Sequence, residues 1–208
     1  YMIDWNNLIM MHGGHLENPL RDKSHGRIYR ITHKDSKNFQ SIDLRDAKIE
    51  ELINTLSNDN MFWRLMAQNK LVQGKKYDAV PSLIELAKST NIDGINSDPG
   101  VIHALWTLHG LDQLDGSNKE ANAAIKKALS HPSAMVRKNA VRVLPKINTS
   151  AELLIKMLDE NDKNTLRHIL LTLSIMPKND DFGEIIYGLK NKIEGMKALQ
   201  APYNLALI

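Results

Sequence analysis

The chain contains no cysteine, and this absence removes several classes of site at once. Without a cysteine thiol it can form no disulfide, no thiolate zinc site and no paired-cysteine attachment of haem. The absence of cysteine leaves the cellular compartment open.

Long apolar runs and a strong excess of one charge are missing as well. No stretch approaches the ~18 uninterrupted apolar residues of a membrane helix, and no signal peptide opens the chain. The 27 basic and 24 acidic side chains leave a formal charge of +3, which does not predict nucleic-acid binding. Because Tyr1 is not an initiator methionine, we expect a piece of a longer polypeptide, from which a targeting signal could have been lost.

The chain does contain a repeated pattern of apolar helix, polar turn and arginine. It occurs in Leu56–Ala67, Leu129–Ala140 and Leu158–Arg167, where a leucine ends one helix and an arginine opens the next. Such a pattern is typical of helical-hairpin repeats, which bury their apolar faces on their neighbours.

Apolar residues recur at helical spacing from Asp46 onward. The predicted helices begin near Asp46, Met61, Tyr77 and Asp98, and then cover 121–129, 136–144, 150–158, 162–175, 181–193 and 196–207. The run Ser57–Asn60 is predicted to supply the turn and N-cap before Met61, Asp98 is a predicted N-cap, and Gly74 a C-terminal stop. Before Asp46 the pattern differs, because Tyr1–Trp5 and Arg27–Thr32 read as two short strands that could pair.

The hairpins, each of ~30 to 40 residues, resemble HEAT repeats. That resemblance implies a ladder in which the arginine of each repeat joins an acidic group. Arg64, Arg137 and Arg167 match the arginine position, and Val101 occupies it in the second pair. We therefore expect a mainly α protein, a HEAT-like α-solenoid of about four to five helical hairpins over 41–208, with a short N-terminal β-hairpin or irregular segment.

The first thirty residues contain a recognisable set of aromatic, polar and glycine positions: Asp4, Trp5, Asn7, His12, His15, Pro19, Arg21, Asp22, His25, Gly26 and Arg27. This segment resembles the end of the β-propeller domain in bacterial membrane-bound dehydrogenases of the sorbosone or glucose dehydrogenase type. In those proteins HEAT-like repeats follow the propeller, and a haem-binding domain often follows the repeats. The resemblance implies that residues 1–40 are a propeller remnant, that the parent is an exported or periplasmic dehydrogenase, and that this fragment holds no cofactor.

A metal site is one interpretation of the histidines and carboxylates near the start of the chain: Asp4, His12, His15, Asp22 and His25. We favour a structural interpretation. The carboxylates would accept hydrogen bonds from loop amides or pair with Arg21 and Arg27, while the histidines would lie at the surface or stack on Trp5. No metal is therefore expected.

The histidines and large apolar residues elsewhere in the chain also have structural explanations. His103 and His109 flank Trp106, and His103 is predicted outside the packed side of its helix or at its edge. His131 and His168 lie at repeat boundaries, where capping explains them. Large apolar residues are interpreted as packing between adjacent pairs: Met61, Trp63, Met66 and Trp106.

A local basic patch is conceivable where Arg137, Lys138 and Arg142 lie near Lys126 and Lys127. Aromatic stacking residues are missing from that part of the sequence, so nucleic acid is not the expected partner.

These patterns favour a non-catalytic helical-repeat scaffold or protein-interaction module within a larger exported protein. Its partner would be a protein or another domain of the parent chain, bound on the concave face of the second helices. Two alternatives stay open. One is the C-terminal part of a quinone- or haem-linked sugar or alcohol dehydrogenase, inactive as this fragment, and the other is a nucleic-acid-binding solenoid.

Overall fold

A computed structural model describes residues 2–4, 24–32, 34, 42–177 and 180–207. The chain divides into two compact units, residues 1–41 and 42–208. In the first unit, β1 (Met2–Asp4) and β2 (Arg27–Tyr29) pair antiparallel, with Met2 opposite Tyr29 and Asp4 opposite Arg27. These strands lie within the two segments predicted to be extended.

The described part of the second unit is helical, which confirms the prediction of a mainly α protein. Its helices are α1 (Ile49–Thr55), α2 (Met61–Gln73), α3 (Val80–Ala87), α4 (Pro99–Gly110), α5 (Lys119–Leu129), α6 (Ala134–Val143), α7 (Asn148–Ile155), α8 (Lys163–Leu173), α9 (Asp180–Tyr187), α10 (Lys190–Ile193) and α11 (Lys197–Ala206). One 3-10 turn, Tyr77–Ala79, leads into α3.

The helices of the second unit form pairs, and the pairs stack in sequence order. The first helices α1, α3, α5, α7 and α9 pack on the second helices α2, α4, α6, α8 and α11 respectively. Consecutive second helices also contact each other, from α2 to α4, α6, α8 and α11. This connectivity, in which contacts run between neighbouring pairs, is that of a helical-repeat stack.

The predicted apolar stripes form the core of the stack. In α5 the stripe Ala121, Ala124, Ile125, Ala128 and Leu129 is buried throughout. Its partner α6 buries Val136, Ala140 and Val143, as predicted. The alanines allow close approach of the two helices, and the burial of the larger side chains supplies the hydrophobic free energy, about 25 cal/mol for each Å² of apolar surface removed from water.

One helix end differs from prediction, and one agrees with it. Residues 181–193 do not form one helix, because α9 ends at Tyr187 and Gly188 follows, a residue with poor helix propensity. Gly74 does end α2, but with a φ of −77°, and the left-handed position belongs to Lys75, with a φ of 46°. A Cβ on Gly74 would lie 2.6 Å from the Lys70 carbonyl oxygen, so the glycine provides space rather than a positive φ.

His103 joins the first two pairs and is buried, which excludes the position outside the packed side that the sequence allowed. Its side chain is only 8% exposed, because Gln68 of α2 lies over it, with the Gln68 Oε1 atom 2.7 Å from Nδ1. Burial, and next the charge of Arg64, lower the pKa of His103 from 6.5 to about 4. The ring is therefore neutral at pH 7 and serves as a satisfied core residue.

The depressed pKa of His103 predicts a loss of stability in acid. Since the unfolded chain takes up this proton first, the stabilisation is complete above pH 6.5 and is lost as the pH falls towards 4. The whole loss amounts to roughly 3 kcal/mol, at about 1.4 kcal/mol for each pKa unit. We expect urea unfolding at pH 7.5 and pH 4.5 to show a smaller pH dependence for His103→Gln than for the unaltered protein.

The exposed His109 of the same helix provides the control. His109→Gln should retain the full pH dependence of the free energy of unfolding. An equal pH dependence in the His103→Gln variant and the unaltered protein would contradict the burial of a neutral His103.

Candidate functional site

Most residues of the N-terminal motif lie outside the described part of the chain: Trp5, Asn7, His12, His15, Arg21 and Asp22. Asp4 ends β1 and Arg27 begins β2, and the two are backbone partners in the strand register. His25 and Gly26 are exposed, and the His25 Nδ1 atom lies 2.9 Å from the Ser24 hydroxyl. The metal-site interpretation and its structural alternative therefore both stay predictions.

The side-chain caps of the second helices give a common frame for comparing the repeats. Asn60, Asp98, Ser133 and Asp162 cap α2, α4, α6 and α8, and each accepts a hydrogen bond from a backbone N–H two or three residues ahead. Positions can therefore be counted from the cap in each pair.

Arg64 and Arg137 make the same contacts in their two repeats, four residues after the cap. Arg64 Nη1 donates to the backbone carbonyls of Asn58 and Asp59, at 2.6 and 2.9 Å. Arg137 Nη1 donates to those of His131 and Pro132, both at 2.9 Å. In both repeats the guanidinium therefore holds the polar turn that precedes its own helix.

Arg137 also links its repeat to the next one. Its Nε and Nη2 atoms donate to the Glu160 carboxylate at 2.7 and 2.8 Å. The same carboxylate accepts the backbone N–H of Asp162, the cap of α8, at 2.8 Å. The two side chains are only 19% and 5% exposed. The Arg137 guanidinium lowers the pKa of Glu160, which keeps the pair charged at neutral pH.

Arg167 occupies a different position from the other two repeat arginines. It lies five residues after the cap Asp162, and one extra residue turns a side chain by about 100° around a helix. It is exposed, and within the described residues it makes no hydrogen bond or ion pair. In the second pair, Ile102 lies four residues after the cap and Val101 three. The contacts of Arg64 and Arg137 are therefore not repeated in α4 or by Arg167.

Of the two histidines predicted at repeat boundaries, His131 lies at one, whereas His168 lies inside α8 and caps no helix. His131 is buried in the turn before α6, and its Nδ1 accepts the backbone N–H of Ser133 at 3.0 Å. Burial lowers its pKa. His168 contacts the backbone carbonyl of Asn164 at 2.8 Å, and the exposed His109 packs edge-on against Trp106.

Exposed and half-buried side chains of the second helices form the candidate site. In α2, α6 and α8 the residues two, five, six and nine positions after the cap are exposed or half-buried. They share the i, i+3, i+4, i+7 spacing of one helix face. In α4 the positions two, five, six and nine after the cap are buried, so this helix contributes through other positions. We define the second-helix surface as these residues with two from α4: Phe62, Leu65, Met66, Asn69, Ile102, Trp106, Met135, Lys138, Asn139, Arg142, Asn164, Arg167, His168 and Leu171.

Trp106 fixes the junction between α4 and α6 within this surface. Its indole N–H donates to the Asn139 Oδ1 atom at 2.9 Å. The Arg142 guanidinium lies over the same ring, 5.1 Å from its centroid, at cation–π distance. An aromatic ring therefore does lie beside the basic residues of α6, contrary to the prediction from sequence.

The packing prediction for the methionines at the start of α2 is also wrong. Met61 and Met66 are exposed rather than packed between pairs, and so are their neighbours Phe62 and Leu65. The predicted packing role holds in part for Trp63 and Trp106, which are half-buried against the core.

The described residues show no obvious catalytic centre. No group of three or more histidine, aspartate or glutamate side chains within them could hold a metal ion. A depression of about 440 Å³ lies between the α6–α7 turn and the end of α8, and it is lined by Lys146, Ile147, Asn148, Thr149 and Pro177. Its lining includes a single charged side chain, so no acid–base pair converges there.

Neither a known protein family nor a curated protein matches this chain. Among the described residues, every helix is too short or too polar to cross a membrane.

The position of an arginine relative to its cap predicts its contribution to stability. Arg137→Ala removes four hydrogen bonds and leaves the buried Glu160 carboxylate unpaired. We expect a loss of about 2–4 kcal/mol in the free energy of unfolding, measured by urea denaturation. Arg167→Ala, the matched change at an exposed arginine, should cost less than about 0.5 kcal/mol. Equal losses would show that the two arginines have equivalent roles.

Proposed function

We propose that the helical stack is a non-catalytic binding module that holds a protein partner, or another domain of its parent chain, on the second-helix surface. The supporting observation is the exposure of large apolar side chains at equivalent positions on its second helices. Phe62 and Met135, both two residues after their caps, are 56% and 43% exposed.

Apolar side chains that are exposed at the same positions relative to the helix cap differ from the scattered exposed apolar residues found on any protein surface. Phe62, Leu65 and Met66 are contiguous on one face of α2, and all three are exposed. Contiguous apolar patches of this kind mark interaction sites more often than bare surface. Flexible methionines and rigid aromatics are also the side chains that suit a protein interface.

The arrangement of polar groups supports binding over catalysis. His103, the histidine whose pKa is lowered to about 4, is buried inside the stack against Gln68. The most buried ion pair, Arg137 with Glu160, holds two repeats together. Neither faces a cleft where a reacting group could meet a nucleophile and an oxyanion donor.

A second candidate function follows from the resemblance of the N-terminal segment to the end of a dehydrogenase propeller. On that resemblance the chain would be the C-terminal part of a quinone- or haem-linked sugar or alcohol dehydrogenase in an exported protein. The antiparallel pairing of β1 with β2 supports it, because the resemblance places propeller strands there. The helical stack would then be the non-catalytic part of that protein.

Selection from a random peptide library tests the binding module directly. We expect the protein to enrich a set of peptides whose binding falls by roughly tenfold or more in Phe62→Ser/Met66→Ser, since apolar anchors carry much of the energy of an interface. Tyr77→Ser/Ile92→Ser removes two exposed apolar side chains elsewhere and should leave binding within about twofold. Selection of no peptides, or equal losses in both variants, would refute the proposed site.

Turnover measurements test the non-catalytic role that both candidate functions give to this chain. The protein should give no turnover of sugars or alcohols with quinone or dye acceptors, with or without added quinone cofactor, because no described site brings reacting groups together. Measured turnover that tracks the protein through purification would refute a non-catalytic module.

A further inference from the structure

The second helices contain no acidic residue. Their sequences include neither aspartate nor glutamate, although 24 acidic residues in 208 would place about six among their 56 positions. They do contain lysines and arginines: Arg64, Lys70, Arg137, Lys138, Arg142, Lys163, Arg167 and Lys197. The ionised side chains of the second helices are therefore all positive.

The first helices have the opposite bias. They contain eight acidic residues, namely Glu50, Glu51, Glu85, Glu120, Glu152, Asp180, Asp181 and Glu184. Their basic residues are Lys119, Lys126 and Lys127, all in α5. The near-balance of the whole chain thus conceals two layers of opposite charge, and the basic layer is the one with exposed apolar side chains.

Three cations of the basic layer are available to a ligand: Lys138, Arg142 and Arg167. None of them forms an ion pair with an acidic residue of the described chain. Arg142 and Arg167 are exposed and Lys138 is half-buried. Arg137, by contrast, is committed to Glu160. The nearby Asp162 carboxylate is committed to capping α8 through Thr165.

These cations lie in the same register as the apolar residues of α2. Lys138 and Arg167 are five residues after their caps, as Leu65 is in α2, and Arg142 is nine residues after its cap. Contacts place α2, α4, α6 and α8 side by side in that order. The surface therefore changes from apolar on α2, through Ile102 and Trp106 on α4, to basic on α6 and α8.

We propose that the partner is an acidic protein segment with apolar residues at one end, which crosses the second helices with its apolar residues on α2 and its carboxylates on α6 and α8. This inference rests on the proposed binding module and adds the chemistry of the partner. A cationic surface selects against basic segments, because like charges brought together cost free energy.

The spacing of the helices sets the spacing of the ligand. Packed helices lie about 8–10 Å apart, so two steps from α2 to α6 span about 16–20 Å. An extended chain advances about 3.3 Å per residue. Five or six residues should therefore separate the apolar anchors from the first carboxylate.

An acidic protein segment fits this surface better than a nucleic acid does. The aliphatic side chains of Leu65, Met66 and Ile102 would find no aliphatic partner on a nucleic acid. The indole N–H of Trp106 is already bonded to Asn139, and the ring is partly covered by Arg142. The acidic first helices also weaken the long-range field that nucleic-acid binding depends on.

Defined probes test the charge preference by fluorescence anisotropy at two salt concentrations. The acidic probe has Phe-Ser-Leu, a five-residue Gly/Ser spacer and four glutamates. A second probe has four lysines in place of the glutamates, and a third is a 12-nucleotide single-stranded DNA. We expect the acidic probe to bind, with an affinity that falls on addition of salt, and to exceed the lysine probe and the DNA by roughly tenfold or more.

Matched variants locate the binding. Lys138→Glu/Arg142→Glu should weaken the acidic probe by roughly tenfold or more, and Arg167→Glu, which removes no described contact, should weaken it by a smaller factor. Lys126→Glu/Lys127→Glu makes the same change of charge on the exposed side of the first helix α5, and should leave affinity within about twofold. Circular dichroism and thermal melts of each variant confirm that it is folded.

The outcomes separate this inference from the proposed function. Equal or tighter binding of the lysine probe at the second-helix surface overturns the acidic partner and leaves the binding module intact. Tighter binding of the DNA, with a steep salt dependence, overturns it in favour of a nucleic acid. Equal losses in the two paired variants show nonspecific attraction and overturn the site, and failure of the acidic probe to bind overturns the inference itself.

Discussion

The lateral packing of the second helices is the constraint on which the rest of this structure depends. α4 shows it most clearly, since seven of its residues are buried between neighbours on both sides: Gly100, Val101, His103, Ala104, Leu105, Thr107 and Leu108. Short side chains there allow adjacent pairs to approach, and a Cβ on Gly100 would meet the Ser57 hydroxyl. Polar contacts then set the register between pairs, as Gln68 does with His103 and Glu160 does with Arg137.

This packing also produces the candidate site. A helix that is buried on one side by its own pair, and laterally by two neighbours, has only one stripe left for solvent. Stacking brings those stripes together, so a residue two positions after the cap in α2 and one in α6 belong to the same surface. Arg64 and Arg137 donate hydrogen bonds to the polar turns before their own helices. Other side chains of the second helices therefore stay available to a partner.

Local features of the fold could be predicted from the sequence, and features that depend on the assembly could not. The caps at Asn60 and Asp98 and the apolar stripe of α5 follow from a few adjacent residues. The burial of His103 depends on Gln68, thirty-five residues earlier. The different role of Arg167 follows from its place five residues after its cap, since Arg64 and Arg137 lie four residues after theirs. The absence of acidic residues from the second helices becomes visible only when helices are assigned to pairs, because basic and acidic residues are nearly equal in number over the whole chain.

Distances between second helices test the central claim most directly, and the cysteine-free chain allows spin labels at single introduced cysteines. Phe62, Met135 and Asn164 all lie two residues after their caps on α2, α6 and α8. A stack predicts about 16–20 Å from α2 to α6 and up to about 30 Å from α2 to α8, from two and three interhelical steps. An α2–α8 distance equal to or shorter than the α2–α6 distance would mean that the helices gather around one centre, which would contradict the account.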